Sequence, residues 1–236
     1  MMQDQDANQP LIVRHALVTG VASGIGKSIA ARLLAEGWAV TGLDRIDVHM
    51  PFESFKAISI DLTNHDLLRE LLGQFKAVDA VVHAAGFMRT APLGALDLED
   101  GLAMWRVHVG TAEIIANAIL PGMKSGGRMV VIGSRTAAGA AGRSQYAATK
   151  AALTGMVRSW AAELAPRGVT VNIVAPGATA TPMLNDPARA GTAPKLPPIG
   201  RFIEPSEIAA LTAFLLGPEA GAITGQQIII CGGGSL

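Results

Sequence analysis

A single cysteine, Cys231, stands among 236 residues, so no internal disulfide can form and no zinc site can be built from thiolates. Charge is scarce as well. Charged residues make up 16% of the chain, and 19 basic side chains balance 19 acidic ones. That balance removes the electrostatic case for nucleic acid or an anionic membrane surface as a partner. No apolar run approaches the roughly 18 residues a membrane-spanning helix needs. The opening ten residues, MMQDQDANQP, are polar and acidic, unlike a secretory leader, so a cytoplasmic location is expected. His15, His49 and His65 show no metal-ligand spacing, and no metal site is expected. What is abundant is small and apolar: half of the residues are hydrophobic, but only 4% are aromatic. Such a chain can bury a sizeable core of aliphatic layers. Its length suits one domain over residues 1–236, with a polar tail at 1–12.

Short Val- and Ile-rich runs alternate with longer helical patterns from end to end. Strands are expected at residues 15–19, 39–43, 57–60, 80–83, 129–132, 170–174 and 227–230. They carry little polar alternation, as strands covered on both faces of a parallel sheet do. Helices are expected at 24–36, 65–72, 98–120, 144–165 and 205–216, with Pro205 opening the last and Gly37 and Gly168 suited to helix exits. Repetition of strand, helix and strand predicts a Rossmann-like, doubly wound α/β fold with a mostly seven-stranded parallel sheet and helices on both faces. Residues 45–56 look too short for a crossover helix. The proline-rich stretch 178–204 reads as a loop or lid over a site.

The first strand runs into Thr19-Gly20-Val21-Ala22-Ser23-Gly24-Ile25-Gly26 and then a helix. Glycines at this place let the backbone turn tightly and approach a pyrophosphate, whose charge meets free N–H groups at the helix start. A glycine triplet also makes ordinary strand–helix turns; its position after the first strand of a βαβ unit favours the nucleotide reading. Asp44 closes the second strand. An acid there accepts hydrogen bonds from a ribose 2′-hydroxyl and repels a 2′-phosphate, favouring NAD over NADP. Ser23 offers no positive charge to that phosphate, although Arg45 follows Asp44 directly.

The only tyrosine, Tyr146, is followed four positions later by Lys150, on the same helix face. An ammonium about 4 Å from a phenol, at an effective dielectric of about 20, favours the phenolate by up to about 4 kcal/mol before desolvation opposes it. A phenol so placed is suited to general acid–base work. Ser134 follows an apolar strand, at the carboxyl end where open α/β sheets place their ligands. Its hydroxyl either binds a substrate oxygen or caps a local turn.

Taken in order, these motifs resemble those of the short-chain dehydrogenase/reductase family, from about His15 to Ser235. They are TGVASGIG at 19–26, DL at 61–62, HAAG at 83–86, Ser134, YAATK at 146–150, NIVAPGATAT at 172–181 and ITGQQIIICGG at 223–233. The resemblance implies that Tyr146 is the catalytic acid/base, that Ser134 orients the substrate oxygen and that Lys150 also holds the nicotinamide ribose. It implies adenine contacts from Asp61 and Leu62, ribose contacts from Ala85 and Gly86, and carboxamide and phosphate contacts from Pro176, Gly177, Thr179 and Thr181. It further implies a homotetramer, or a homodimer, built on the helices at 98–120 and 144–165 and the last strand.

Three positions depart from the family pattern. HAAG stands where NNAG or NAAG is usual. His108 falls where an asparagine normally completes a proton relay; it either holds the relay water and shuttles a proton or fills a slot inside the helix. Cys231 replaces a frequent aspartate and reads as a buried structural thiol. Around the expected site, Arg135 and Arg143 suit a substrate carboxylate or phosphate, while Phe87, Met88 and Met183 suit apolar walls. The expected activity is NAD-dependent interconversion of a small secondary alcohol, such as a cyclic diol or hydroxy acid, and its ketone. The alternatives are an NADPH-dependent 3-oxoacyl thioester reductase and a dinucleotide-binding regulator that has lost its chemistry.

Overall fold

The computed structural model describes residues 13–187 and 195–236, so the expected polar tail at 1–12 and part of the expected lid lie outside the described residues. Seven parallel strands form one sheet: β1 (His15–Thr19), β2 (Ala39–Asp44), β3 (Phe55–Ser59), β4 (Ala80–His83), β5 (Arg128–Ile132), β6 (Thr170–Pro176) and β7 (Gln227–Ile230). Their spatial order is β3-β2-β1-β4-β5-β6-β7. Among the described residues the α-helices are α1 (Gly24–Ala35), α2 (His65–Leu72), α3 (Leu98–Trp105), α4 (Thr111–Ile119), α5 (Ser144–Leu164) and α6 (Pro205–Leu216).

Two cores explain why the strands read as continuous apolar runs. Leu17, Val81, Met129, Val131 and Ile173 point into a core shared with α2, α4 and α5. Their neighbours Ala16, Val18, Val82, Val130 and Val174 point into a second core with α1 and α6. Successive side chains of a strand face opposite sides, so both sides must be apolar when both are covered. Across the centre of the sheet, β1 pairs with β2 on one side and β4 on the other. The strand order reverses there, opening a crevice at the carboxyl ends of β1 and β4 where such sheets bind ligands.

Local chemistry fixes the element ends. Pro205 opens α6 after a reciprocal capping box between Glu204 and Glu207. Gly168, with φ of +70°, turns the chain out of the short 3₁₀ extension of α5 and into β6. No crossover helix occupies residues 45–54.

Two expectations are corrected. The third strand lies at Phe55–Ser59 rather than 57–60, because the register is set by its pairing with β2, Val40 opposite Phe55 through Asp44 opposite Ser59. The expected single helix at 98–120 is two helices with a π turn, Arg106–Gly110, between them, followed by a 3₁₀ turn at Leu120–Gly122 that carries Pro121. The π turn takes an extra residue into its bonding ring: Thr111 N–H reaches back five residues to Arg106 C=O. Gly110 makes room for it, since a Cβ there would lie 2.6 Å from the His65 ring.

Candidate active site

A cleft of about 930 Å³ runs along the carboxyl ends of the strands. At one end, the chain leaves β1 through Gly20, φ +77°, where any Cβ would fall 2.8 Å from the backbone nitrogen of Ala85. The turn after β1 and the turn after β4 therefore touch, and only glycine permits that approach. Gly26 is tighter still: a Cβ there would lie 2.2 Å from the carbonyl oxygen of Gly20. Gly24, φ +52°, opens α1 against the Thr181 side chain, joining the first strand–helix turn to the segment after β6. No side chain caps the first turn of α1. Its amides together with the glycine cradle fit a pyrophosphate, so the chain's residues suit a nicotinamide dinucleotide.

Ser23, Ile25, Asp44, Asp61 and Leu62 line the same end of the cleft. Asp44 is committed to the loop: one carboxylate oxygen accepts from Ala22 N–H at 2.9 Å, the other from Ile46 N–H at 3.2 Å. Backbone and side-chain hydrogen bonds from Thr63 hold the Asp61 carboxyl below the usual carboxylate range. Ala85, Gly86, Pro176, Gly177, Thr179 and Thr181 also line the cleft.

The other end of the cleft brings Ser134, Tyr146, Lys150 and His108 together, all buried. Ser134 follows β5, and its Oγ accepts from Thr136 N–H at 3.1 Å. The capping role and the cleft position therefore coexist, and the hydroxyl hydrogen remains to be donated. Tyr146 and Lys150 share one face of α5, with Nζ 5.9 Å from the ring centroid. Lys150 Nζ donates to Ile132 C=O at 2.9 Å, and burial pushes its pKa down to about 7.

His108 sits in the π turn with its ring edge-on to Tyr146, centroids 5.6 Å apart. Its Nε2 accepts from Phe87 N–H at 3.2 Å and its Nδ1 meets Thr149 Oγ1 at 2.8 Å. Burial, then the Lys150 charge, holds it far below the usual histidine range. Met88 and Tyr146 pack with Met104, Phe87 and Met183 in a small apolar cluster. Arg135 and Arg143 line the cleft nearby.

The two ends of the expected lid are stitched at its base: Thr179 and Ile203 form an isolated parallel bridge, and Pro182–Asn185 makes a 3₁₀ turn. Cys231 is buried, with its thiol 3.2 Å from Ser235 Oγ. Among the described residues no group of acidic, histidine and cysteine side chains is placed to hold a metal ion, and no helix is long and apolar enough to cross a membrane.

Three contributors escaped the motif reading. Thr149 was visible only as the residue before Lys150, Thr19 only as the start of the glycine run. Arg89 lines the cleft with its guanidinium 5.0 Å from the Phe87 ring and ion-paired with Asp100 and Asp186 at 3.7 and 3.6 Å. No periodicity or motif marks an arginine in a loop.

A family model described as enoyl-(acyl carrier protein) reductase matches residues 20–235. The 3-oxoacyl-(acyl-carrier-protein) reductase of Vibrio cholerae is 37% identical over 234 residues, covering 92% of this chain and 96% of that protein. The short-chain reductase protein NovJ of Streptomyces niveus is 33% identical over 242 residues, covering 92% of each. A short chain dehydrogenase from Burkholderia cenocepacia, solved in complex with NADP, superposes with a TM-score of 0.83 at 34% identity, covering 94% of this chain and 98% of that one. With matches of this extent over a Rossmann-like sheet, the chain belongs to the short-chain dehydrogenase/reductase family, oxidoreductases that use a nicotinamide dinucleotide to act on CH–OH groups.

Proposed function

We propose that the chain is an NAD-dependent dehydrogenase of a small secondary alcohol, a cyclic diol or hydroxy acid, with Tyr146 as its acid–base group. The observation that carries this reading is the burial of Ser134, Tyr146 and Lys150 at one end of a cleft whose other end is a glycine cradle. In the oxidation direction the Tyr146 phenolate takes the substrate hydroxyl proton. Ser134 donates its hydrogen to the same oxygen, and the Lys150 ammonium favours the phenolate form. When bound, the nicotinamide supplies the acceptor for the hydride. Gly20, Gly24 and Gly26 would hold the pyrophosphate, and Pro176, Gly177, Thr179 and Thr181 would border the nicotinamide end.

Asp44 supports NAD, since its charge at the end of β2 opposes a 2′-phosphate. Arg135 and Arg143 along the cleft support an acidic substrate, because guanidinium forks match carboxylates. A second reading, NADPH-dependent reduction of a 3-oxoacyl thioester, is favoured by the printed names of relatives such as the Vibrio cholerae reductase, by the NADP in the Burkholderia structure, and by Arg45 beside Asp44. Following the near-ultraviolet absorbance of reduced nicotinamide with cyclic diols, hydroxy acids and acyl thioesters separates the two. Turnover of cyclic or hydroxy-acid substrates with higher kcat/KM for NAD is expected; a strong NADPH preference with thioester turnover replaces it by the second reading.

We also place this chain in a homo-oligomer, supported by exposed Leu98, Leu102 and Trp105 on α3. Sedimentation of the purified protein tests this: a monomer at micromolar concentration removes it.

A further inference from the structure

Three of the chain's five histidines converge on the π turn between α3 and α4. His65 Nε2 lies 3.2 Å from Arg106 C=O on the outer side, and His83 Nε2 lies 3.2 Å from His108 C=O on the inner side. His108 itself projects its ring toward Tyr146. The hydrogen-bond partners of the two inner rings fix where each proton sits.

Thr19 Oγ1 accepts from Ala84 N–H at 3.1 Å and from Ala85 N–H at 3.0 Å. Both of its lone pairs are then used, so its hydrogen goes to His83 Nδ1, 3.0 Å away. His83 therefore carries its own proton on Nε2 and donates it to His108 C=O. In His108 the order is reversed. Phe87 N–H can only donate, so Nε2 is the acceptor and the proton is on Nδ1, donated to Thr149 Oγ1. Thr149 passes the direction on, donating to Tyr146 C=O at 2.8 Å. Every donor in this buried chain has an acceptor, from the end of β1 to the first turn of α5.

We propose that His83 and His108 are positioning residues, locked as neutral rings of opposite tautomer, that tie the nucleotide-side strand end to the helix turn carrying Tyr146. A proton added to either ring would have to displace the Thr19 hydroxyl or the Phe87 amide from its nitrogen. His108 thus serves as a post and not as a shuttle. The His108 carbonyl in the π turn is engaged by His83 Nε2 at 3.2 Å, which ties the turn to the end of β4. Lys150 is the charge that faces both rings, and it too disfavours their protonation. Gly86 completes the fit: a Cβ there would lie 2.8 Å from His108 Nε2 and 3.7 Å from Lys150 Nζ.

The inference rests on the reading of Tyr146 as the acid–base group for its kinetic arm only. Imidazole nitrogen NMR of the histidine-labelled protein tests the pair without any turnover. Two rings neutral from about pH 5 to pH 8 are expected, one protonated at Nε2 and one at Nδ1. Titration of either ring in that range, or the same tautomer in both, overturns the proposal. The kinetic arm uses His108→Gln, which keeps an acceptor near Phe87 N–H but offers nothing to Thr149, and Thr149→Val, which removes the same link from its other end. Each is expected to lower kcat about tenfold and move the acid limb of the pH–rate profile upward, with the double variant no worse than either single one. Independent, multiplying losses, or a lower plateau with an unmoved limb as a lost proton shuttle gives, overturn it. If Tyr146→Phe leaves turnover intact, the acid–base reading fails while the NMR result still stands by itself.

Discussion

The two ends of the cleft solve opposite problems with opposite materials. The nucleotide end is shaped by backbone: Gly20, Gly24 and Gly26 set the turn, and α1 presents amides that do not titrate. Its ionisable residues, Asp44, Arg45 and Asp61, are exposed or half-buried. The chemical end is shaped by side chains, and its ionisable groups His83, His108 and Lys150 are almost wholly buried. Backbone amides bind an anion over a wide pH range without changing charge. A group that must trade a proton is tuned by removing water, and the folded state then carries the burden of an uncharged or strained-for-charge side chain.

The sharpest division between the ends comes from Tyr146→Phe. Loss of the phenol is expected to lower kcat by about 10²- to 10⁴-fold, the range of one general acid–base group. The dissociation constant for NADH, followed by nucleotide fluorescence, should stay within about twofold, because no element of the glycine cradle depends on that hydroxyl. A fall in nucleotide affinity as large as the fall in kcat would join the two ends into one. Unchanged turnover would remove Tyr146 as the acid–base group, whereas nucleotide binding with no turnover even in the unsubstituted protein would point to the regulator alternative.

The buried histidines give the next largest effect, and it appears in stability. Burial, with help from Lys150, pushes His83 down to about 3 from its ordinary value of 6.5, and His108 moves the same way. The unfolded chain takes up protons below about pH 6.5 that the folded chain refuses, so stability rises with pH across that window and is lost on acidification. Between pH 7 and 5 the His83 ring should remove about 2 kcal/mol from the unfolding free energy, and His108 acts in the same direction. Lys150, lowered to about 7, acts in the neighbouring window: the unfolded chain binds its proton up to about pH 10.4, so stability rises again from about pH 7 toward pH 10. Urea unfolding at several pH values should show both limbs, with the alkaline one absent in Lys150→Met. Flat stability from pH 5 to 7 would place these histidines in contact with water.

What could be read in advance follows the same division. The order of strands and helices was legible because strands covered on both faces leave continuous apolar runs, as in Ala80–His83 and Thr170–Pro176. The glycine turn and the Tyr146–Lys150 spacing were legible because backbone geometry and helix periodicity restrict which residues can serve. The π turn was not, since RVHVG has no composition that separates it from an ordinary helical turn. Nor was the chain from Thr19 to Tyr146, whose members come from four separate elements and meet only after folding. His83 and His108 each looked like an isolated departure from a pattern. Their meaning lies in the pairing.

Gly26→Ala tests the nucleotide end alone. The added methyl would lie 2.2 Å from Gly20 C=O, so the turn must open. NADH affinity is expected to fall about 30-fold, or about 2 kcal/mol, within the range typical of overpacking a tight site. At saturating nucleotide, kcat should fall much less, since Ser134, Tyr146 and Lys150 are held by β5 and α5. A kcat loss equal to the affinity loss would show that the cradle also positions the chemistry.

The smallest effect expected is at Asp44, where the backbone-built end uses one charge. Asp44→Asn keeps an oxygen able to accept from Ala22 N–H, so the loop has a bond to retain while the negative charge goes. Removing one charge at a partly exposed site is worth about 1.4 kcal/mol, so the ratio of kcat/KM for NADPH to that for NADH should rise about tenfold. Arg45, which lines the same cleft, would add to that shift by meeting the 2′-phosphate, and Arg45→Ala in the same background should take part of it back. A ratio that does not move would mean that Asp44 acts only as a staple for the glycine loop. Discrimination would then rest on shape alone, and the nucleotide end would contain no electrostatic choice at all.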